Sequence, residues 1–335
     1  MFKTTRSKLF LVSLVSILML SLVLTGCGGG GGQQAGQKEE LKYPEKPIDF
    51  IVPWPAGGST DMASRLYAKY FSQELGVDIN VLNVTGGNGA IGYSQAAQAK
   101  PDGYTLGLLT FDILSVQAQG LAPVKYQDFK LINMFTVQPT VIIVRKDSGW
   151  NTLEDFIKAA KENPGKFNVG GAGEGGVWHQ AVVLAEEKLG IEMNYIPYTG
   201  SSDQLAALLG KHVDIIFTST SAALPHLQEG TLVMLGTLTD QRLPAFPDVP
   251  TLKELGYDVS YSSWRGVAVP KDTPDEIVNK LREALKKAND NPEYQQKAKE
   301  AQIDTLYLDH EQFKKFLDEQ YPQVESVMKK LGFAK

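Results

Sequence analysis

The chain has 335 residues, with 33 Lys and Arg against 38 Asp and Glu, and a formal net charge of -5 at pH 7. This acidic balance argues against nucleic acid as a partner, because binding to a phosphate backbone depends on basic residues. Cys27 is the only cysteine, which excludes disulfides within the chain and thiolate metal clusters built from one chain. The four histidines are too scattered to suggest a metal site, and we expect neither metal nor cofactor.

The first 27 residues have the pattern of an export signal. Lys3, Arg6 and Lys8 precede an apolar stretch over residues 9–24, which is short for a membrane-spanning helix. The stretch ends in Leu24-Thr25-Gly26-Cys27, which resembles a lipobox. We therefore predict a lipoprotein signal peptide over 1–26 and diacylation of Cys27, and the alternative is that Cys27 is an incidental small residue. The mature protein would be anchored in the cell membrane and face the periplasm or the extracellular side.

A Gly- and Gln-rich segment follows and predicts a flexible tether over residues 27–42. Removal of residues 1–26 takes away three positive charges and no negative ones, which moves the formal charge from -5 to -8. About 295 residues remain beyond the tether, a length that suits two lobes better than one core.

Short apolar runs then alternate with amphipathic stretches. Strands are predicted at 47–53, 77–84, 104–110, 141–145, 167–169, 192–196, 213–217, 232–238 and 267–269. Helices are predicted at 61–75, 91–99, 153–163 (with Thr152 as its N-cap), 178–189, 202–209 and 222–228, and a strongly helical tail at 274–335. This alternation predicts an α/β protein with mostly parallel sheets, whose strand-to-helix loops share one sheet edge. Ligands bind at that edge in sheets of this kind.

The loop at residues 53–61 is the most informative segment. It joins the first strand to the first helix, and Gly57-Gly58 lets the backbone approach a ligand closely. Ser59, Thr60 and Asp61 are N-cap residue types, and a helix N-terminus offers free N–H groups with a partial positive charge. The loop therefore suits a carboxylate, and the alternative is a strand–helix turn with an ordinary cap.

Four other loops also place small residues and hydroxyls at helix starts. They lie at 86–90, 170–176, 198–203 and 218–221. None of them contains Lys or Arg, so we expect a bound anion to be held by helix dipoles, N–H groups and hydroxyls rather than by salt bridges.

Several residues carry more than one interpretation. Gly87-x-Gly89-x-x-Gly92 follows a strand, and Asp112 lies where a ribose-binding acid would in a dinucleotide site, but such matches arise easily at Gly-rich helix starts. His179 either contacts a ligand or caps a helix. Arg265 either pairs with a second ligand carboxylate or pairs with surface acids.

An exported hydrolase is the main alternative function. Its only candidate set is Ser59 or Ser201 as nucleophile with His179 as base. The chain has no Gly-x-Ser-x-Gly elbow and no Walker A lysine, so we expect a binding protein rather than an enzyme.

From about Tyr43 to its C-terminus, the sequence resembles the receptors of tripartite tricarboxylate transporters, the Bug-type extracytoplasmic binding proteins. The resemblance depends on several motifs together. They are Tyr43-Pro44-x-Lys46-Pro47-Ile48, Ile51-Val52-Pro53 with Gly57-Gly58-Ser59-Thr60-Asp61, Ala99-x-Pro101-Asp102-Gly103-Tyr104-Thr105-Leu106, Pro197-Tyr198-x-Gly200, Gly210-x-x-Val213-Asp214, Leu224-Pro225-His226, and Phe246-Pro247-Asp248-Val249-Pro250-Thr251.

The resemblance implies a two-lobed periplasmic-binding-protein fold of type II with a ligand cleft between two α/β lobes. Lobe I would comprise 43–140 plus 259–335, and lobe II 141–258. It implies small carboxylic acids as ligands, such as di- and tricarboxylates. Together with the loops above, it gives a predicted ligand-binding set of Trp54, Gly58, Ser59, Thr60, Asp61, Gly87, Asn88, Gly89, Thr110, Gly173, Glu174, His179, Tyr198, Gly200, Ser201, Thr218, Ser219 and Arg265.

The sequence departs from the family pattern at one ligand loop. Members often carry Asp-Asn where this chain has Thr218-Ser219, so one cleft carboxylate is expected to be absent and the ligand to be more anionic. The resemblance also implies closure of the lobes on the ligand and docking of a monomeric receptor on a two-component membrane permease. A sensor with the same cleft but a different docking target is a further alternative.

Overall fold

The computed structural model describes residues 41–334. The predicted signal peptide, Cys27 and nearly all of the predicted tether lie outside that range. Within it, no helix combines the length and the apolar character needed to cross a membrane.

The described residues form eleven strands and ten α-helices. The strands are β1 (Ile48–Val52), β2 (Ile79–Asn83), β3 (Thr105–Thr110), β4 (Phe129–Pro139), β5 (Val141–Arg145), β6 (Asn168–Ala172), β7 (Asn194–Tyr198), β8 (Ile215–Thr218), β9 (Leu232–Thr237), β10 (Ser262–Pro270) and β11 (Thr305–Asp309). The helices are α1 (Ser59–Leu75), α2 (Ala90–Ala97), α3 (Asp112–Gln119), α4 (Leu153–Glu162), α5 (Val177–Leu189), α6 (Ser201–Leu209), α7 (Thr220–Gln228), α8 (Asp275–Asp290), α9 (Pro292–Glu300) and α10 (His310–Lys330).

The strands form two mixed sheets, one in each lobe. The first lobe has the order β11-β4-β10-β3-β1-β2, and the second has β7-β6-β8-β5-β9. β1 is parallel to β2 and β3, and β6 is parallel to β7 and β8, whereas β10 and β5 are antiparallel to both of their neighbours. The prediction of mostly parallel sheets is therefore wrong. β4 passes directly into β5 in the other lobe and β10 brings the chain back, so these strands need no helical crossover and are free to pair antiparallel.

Most elements predicted from hydrophobic periodicity are confirmed, including the Thr152 cap, whose Oγ1 accepts a 3.1 Å hydrogen bond from the Asp155 amide. α3 and β4 were not predicted from the sequence, and β11 lies within the stretch predicted as a helical tail. Residues 112–116 of α3 and all but three residues of β4 are buried. An element covered on most sides shows little alternation of polar and apolar residues, so periodicity cannot identify it.

The first lobe has a core on each side of its sheet. On one side, the ring of Tyr67 stacks on Phe135 with centroids 4.3 Å apart, beneath α1 and α8. On the other, Trp264 meets Phe313 of α10 edge to face at 5.3 Å. The C-terminal helices therefore hold β10 rigidly from both sides, and β10 contributes a residue to the site described below.

Replacing Gly266 of β10 with alanine should destabilise this lobe. A Cβ at Gly266 would overlap the Phe313 ring and lie 2.8 Å from the Asn133 carbonyl oxygen. We expect Gly266→Ala to lower the free energy of unfolding by about 1–3 kcal/mol, as overpacking does. The pair Gly266→Ala with Phe313→Leu should recover part of that loss in urea unfolding. Strictly additive effects of the two substitutions would contradict the steric explanation.

Candidate functional site

The N-termini of three helices meet between the lobes: α1 from the first lobe, and α5 and α6 from the second. The Oγ atoms of Ser59 on α1 and Ser201 on α6 lie 3.4 Å apart across the cleft. Glycines precede both helices, at Gly58 and Gly200, and neither helix has a side-chain cap. The first N–H groups of a helix without a cap stay available to a ligand and carry partial positive charge. The meeting point is therefore suited to an anion.

A small cavity occupies this meeting point, with about 20 Å³ open to the centres of water-sized atoms. Both lobes contribute to its wall. It is lined by Trp54, Pro55, Gly58, Ser59, Thr60, Asp112, Ala172, Val177, Trp178, Ser201, Ser263 and Arg265.

Arg265 of β10 supplies a fixed positive charge to the cavity. Its side chain is 1% exposed. Nη2 donates to Ser59 Oγ at 3.1 Å and to Thr60 Oγ1 at 2.9 Å, and Nε donates to Thr60 Oγ1 at 3.1 Å. Nη1 is buried and has no hydrogen-bond partner within residues 41–334. Burial lowers the pKa of Arg265 to about 9, so the guanidinium stays charged at neutral pH.

Of the two interpretations of Arg265, pairing with surface acids is not seen: it hydrogen-bonds to hydroxyls at the start of α1. The expectation that helix dipoles and hydroxyls hold a bound anion stays a prediction, and a guanidinium also lines the cavity. The loops do lack Lys and Arg, but the cation comes from a strand distant in sequence.

Asp112, the first residue of α3, supplies the negative charge. It is 2% exposed. Oδ1 accepts a 2.9 Å hydrogen bond from the amide of Val177 at the start of α5, and Oδ2 accepts one of 3.0 Å from Thr110 Oγ1. Burial raises the pKa of the Asp112 carboxyl to about 6, although both hydrogen bonds favour the ionised form. A carboxylate of the first lobe thus occupies the N-terminus of a helix of the second.

The sequence analysis considered Asp112 only as a ribose-binding acid. The informative signal was its position just after the end of a strand, β3, because the other predicted ligand loops also begin at the ends of strands. Gly92, the third glycine of that motif, is explained by packing, since a Cβ there would lie 2.9 Å from Pro53 Cβ. The geometry of Asp112 is that of an interlobe contact and not of a dinucleotide site.

Thr110 connects Asp112 to the wall of the first lobe. Its hydroxyl accepts from Trp54 Nε1 at 3.2 Å and lies 2.6 Å from the Tyr93 hydroxyl. Thr110 is also the register partner of Arg265 across β3 and β10. Trp54, Gly58, Ser59, Thr60, Ser201 and Arg265 of the predicted set line the cavity, and Thr110 lies behind it.

The other predicted residues of the first lobe support the loops. Asp61 is 3% exposed, and its Oδ2 accepts from the Gly57 amide at 3.0 Å and from Arg65 Nε at 2.9 Å. It therefore fixes the turn into α1 rather than facing the cavity. The Asn88 side-chain amide donates to the Glu174 carbonyl oxygen of the other lobe. Gly87, Gly89, Gly173 and Glu174 belong to the two loops joined by this contact, outside the cavity wall.

His179 caps the loop before its own helix, which decides between its two interpretations. Nδ1 accepts a 2.9 Å hydrogen bond from the Gly175 amide, and the ring stacks on Tyr195 with centroids 3.8 Å apart. Burial lowers the pKa of His179 to about 4. His179 is not part of the cavity wall that contains Ser59 and Ser201, so the hydrolase alternative has no base at its proposed nucleophiles.

Gly200 allows the lobes to approach each other, since a Cβ there would lie 2.8 Å from Pro55 Cδ. Tyr198, just before it, packs at the edge of a core of the second lobe. Thr218 and Ser219 are buried outside the cavity wall, and Ser219 Oγ lies 3.2 Å from Ser221 Oγ. The expectation of a more anionic ligand rests on an acid missing at 218–219 and stays a prediction. Asp112 brings a buried carboxylate to the cavity wall from another part of the chain.

Two α/β lobes with a charged cavity at converging helix starts define a solute-binding protein of the periplasmic type. Residues 63–333 match the family model described as the tripartite tricarboxylate transporter family receptor. A Cupriavidus necator protein is 33% identical over 302 residues, which cover 89% of this chain and 91% of that protein. The chain belongs to this receptor family, which confirms the resemblance and the two-lobed fold, and the family's members are receptors rather than enzymes.

Solved structures of periplasmic binding proteins resemble the whole two-lobed fold of this chain. The periplasmic binding protein BugD is 30% identical with a TM-score of 0.83, covering 88% of this chain and 100% of that one. An R. palustris protein with adipate is 26% identical with a TM-score of 0.83, covering 87% and 99% of the two chains. MatC from Rhodopseudomonas palustris with bound malate is 25% identical with a TM-score of 0.77, covering 85% and 99%.

The partly buried position of His179 predicts a pH dependence of stability. Its folded pKa of about 4 lies below the ordinary histidine pKa of about 6.5, so its contribution is complete above pH 6.5 and is lost as the pH falls towards 4. The unfolding free energy of the wild type relative to His179→Gln should fall by about 1–2 kcal/mol between pH 7 and pH 4, allowing for partial exposure of the ring.

Urea unfolding at several pH values measures this difference. The raised pKa of Asp112 acts in the opposite direction over that range, but it is common to both proteins and cancels in the comparison. His212→Gln, which changes an exposed histidine, is the matched control and should show no such trend. A constant difference between wild type and His179→Gln would contradict the assignment.

Proposed function

We propose that the protein is an exported receptor that captures a small organic acid between its lobes and delivers it to a membrane permease. The observation that supports this most directly is the guanidinium of Arg265, which lines the cavity and whose buried Nη1 has no hydrogen-bond partner within residues 41–334. The adipate and malate seen in two solved relatives support a carboxylate ligand.

Arg265 is a buried cation that attracts the Asp112 carboxylate, and each group favours the charged form of the other, but no hydrogen bond joins them within residues 41–334. Removing a guanidinium from water costs several kcal/mol unless an anion compensates it. Here the hydrogen bonds of Arg265 go to neutral hydroxyls, and the N-terminus of α1 beside it adds further positive potential. A ligand carboxylate at Nη1 would be stabilised by the guanidinium and the helix together.

The second lobe completes the site. Ser201 and the start of α6 face Ser59 across the cleft, so one carboxylate between them would contact both lobes. A ligand that binds both lobes favours the closed arrangement, because its affinity for that arrangement exceeds its affinity for an open one. We propose lobe boundaries at 43–140 plus 259–335 and at 141–258, since each sheet is built from one of these sets.

The cellular context follows from the family and from the N-terminal sequence. The signal peptide over 1–26 would direct export. A lipid on Cys27 and the tether over 27–42 would then hold a monomeric receptor at the cell membrane. A two-component integral membrane permease would receive the acid from the closed receptor. Di- and tricarboxylates and related organic acids are the ligand class from which a screen should begin.

Replacing Arg265 with methionine tests the proposal. Arg265→Met should weaken binding of every acid that the wild type binds by about 100-fold or more, because it removes a charge-assisted hydrogen bond in a buried site. The ligand-free variant should be less stable than the wild type, because Asp112 would lose the positive charge that favours its ionised form. Calorimetric titration measures the first effect and thermal unfolding the second.

Arg282→Met is the matched control. Arg282 is also partly buried in the first lobe, but its Nη2 donates to the Leu131 carbonyl oxygen at 3.0 Å and it does not line the cavity. It should leave acid binding unchanged. Undiminished binding by Arg265→Met, or a wild type that binds none of a panel of mono-, di- and tricarboxylates, would refute the proposed function.

A further inference from the structure

We propose that Asp112 sets how many carboxylates the ligand carries. Its side chain places a carboxylate of the protein at the start of α5, so that the cavity prefers a short acid with one carboxylate and a neutral hydrogen-bond donor. The preferred class is therefore a 2-hydroxy monocarboxylate rather than a dicarboxylate of the same length. This inference rests on the proposed function and narrows its ligand class.

The cavity offers positive potential in two places. In the first, Arg265 and the starts of α1 and α6 act together, because Ser59 and Ser201 lie 3.4 Å apart and Arg265 donates to Ser59. In the second, the start of α5 points into the cleft. Helix N-termini bind carboxylates from ligands and from side chains in the same way. A dicarboxylate would need both places.

The second place is already filled. The Val177 amide at the start of α5 donates to Asp112 Oδ1 at 2.9 Å, and Thr110 holds the other carboxylate oxygen at 3.0 Å. The fit is close, since a Cβ at Gly176 would lie 2.9 Å from Asp112 Oδ1. A ligand carboxylate therefore cannot take this helix start without displacing Asp112.

A second ligand carboxylate would lie close to Asp112, because Asp112 and Arg265 line the same cavity. That cavity has about 20 Å³ open to the centres of water-sized atoms, room for roughly one water molecule, so an acid of any kind enters it only when the lobes move apart. Two buried like charges at close range repel strongly, because little water screens them. Each Asp112 oxygen accepts one described hydrogen bond and has a second lone pair, so a ligand hydroxyl can donate to it.

Matched acids test the inference directly. Calorimetric titration at pH 8, where a carboxyl with a pKa of about 6 is ionised, compares butanoate with succinate and 2-hydroxybutanoate with malate. Within each pair, the acids differ by a second carboxylate in place of a methyl group. The wild type should bind 2-hydroxybutanoate at least tenfold more tightly than malate, and more tightly than butanoate.

Asp112→Asn should raise the affinity for malate relative to 2-hydroxybutanoate at least tenfold, because the amide keeps an oxygen for the Val177 amide but carries no charge. Asp318→Asn, which removes an acid on the surface of α10, is the matched control and should leave the ratio unchanged. Thermal unfolding shows whether Asp112→Asn is folded. If it is not folded, the relative affinities of the wild type for the two acids of each pair test the inference instead.

Two results would overturn the inference while leaving the proposed function intact. One is a wild type that binds malate as tightly as 2-hydroxybutanoate or more tightly. The other is a folded Asp112→Asn protein with the wild-type ratio. A different result would refute the proposed function and this inference with it. In that result, the wild type binds none of the four acids and none of the wider panel of acids used to test Arg265.

Discussion

A buried guanidinium with one nitrogen, Nη1, that has no hydrogen-bond partner within residues 41–334 is the constraint on which the rest of this site depends. Arg265 lies on a central strand of the first sheet, covered by helices on both faces, and cannot reach water. Two hydroxyls at the start of α1 orient it without neutralising it. Asp112 opposes part of the Arg265 charge, and an anion at Nη1 would be stabilised by the guanidinium and by the start of α1 together.

The closed arrangement of the lobes is held by an apolar cluster and by polar contacts. Val177 and Trp178 of the second lobe belong to the same buried apolar cluster as Trp54 and Phe111 of the first. Gln180 of the second lobe donates to Ser115 Oγ at 2.9 Å and accepts from the Tyr261 hydroxyl at 2.7 Å. Asp112 accepts from the Val177 amide. Polar groups of this kind can exchange their partners for water at modest net cost, whereas separating the shared apolar cluster exposes its side chains to water. A charged ligand that binds both lobes adds to the stability of the closed state.

Side-chain carboxylates and ligand carboxylates compete for the same helix starts in this fold. Three helices point their N-termini at the cleft, and one of them is occupied by Asp112. A single acid at the end of β3 changes the charge that a ligand must bring. The acid at this position can therefore alter specificity while the helices and the cavity keep their shape.

The sequence by itself determined which segments form helices and strands wherever one face is buried and the other exposed, because periodicity records that difference. It also determined that glycine-rich loops precede α1 and α6 and that no basic residue lies in them. Only the tertiary structure decided that Arg265, about 200 positions beyond Ser59, is the cation of the site, and that His179 caps its own loop. It likewise decided that Asp112, and not residue 218 or 219, brings a carboxylate to the cavity. These outcomes depend on which strands become neighbours and on how the lobes meet, and local sequence patterns do not specify contacts between residues so far apart in the chain.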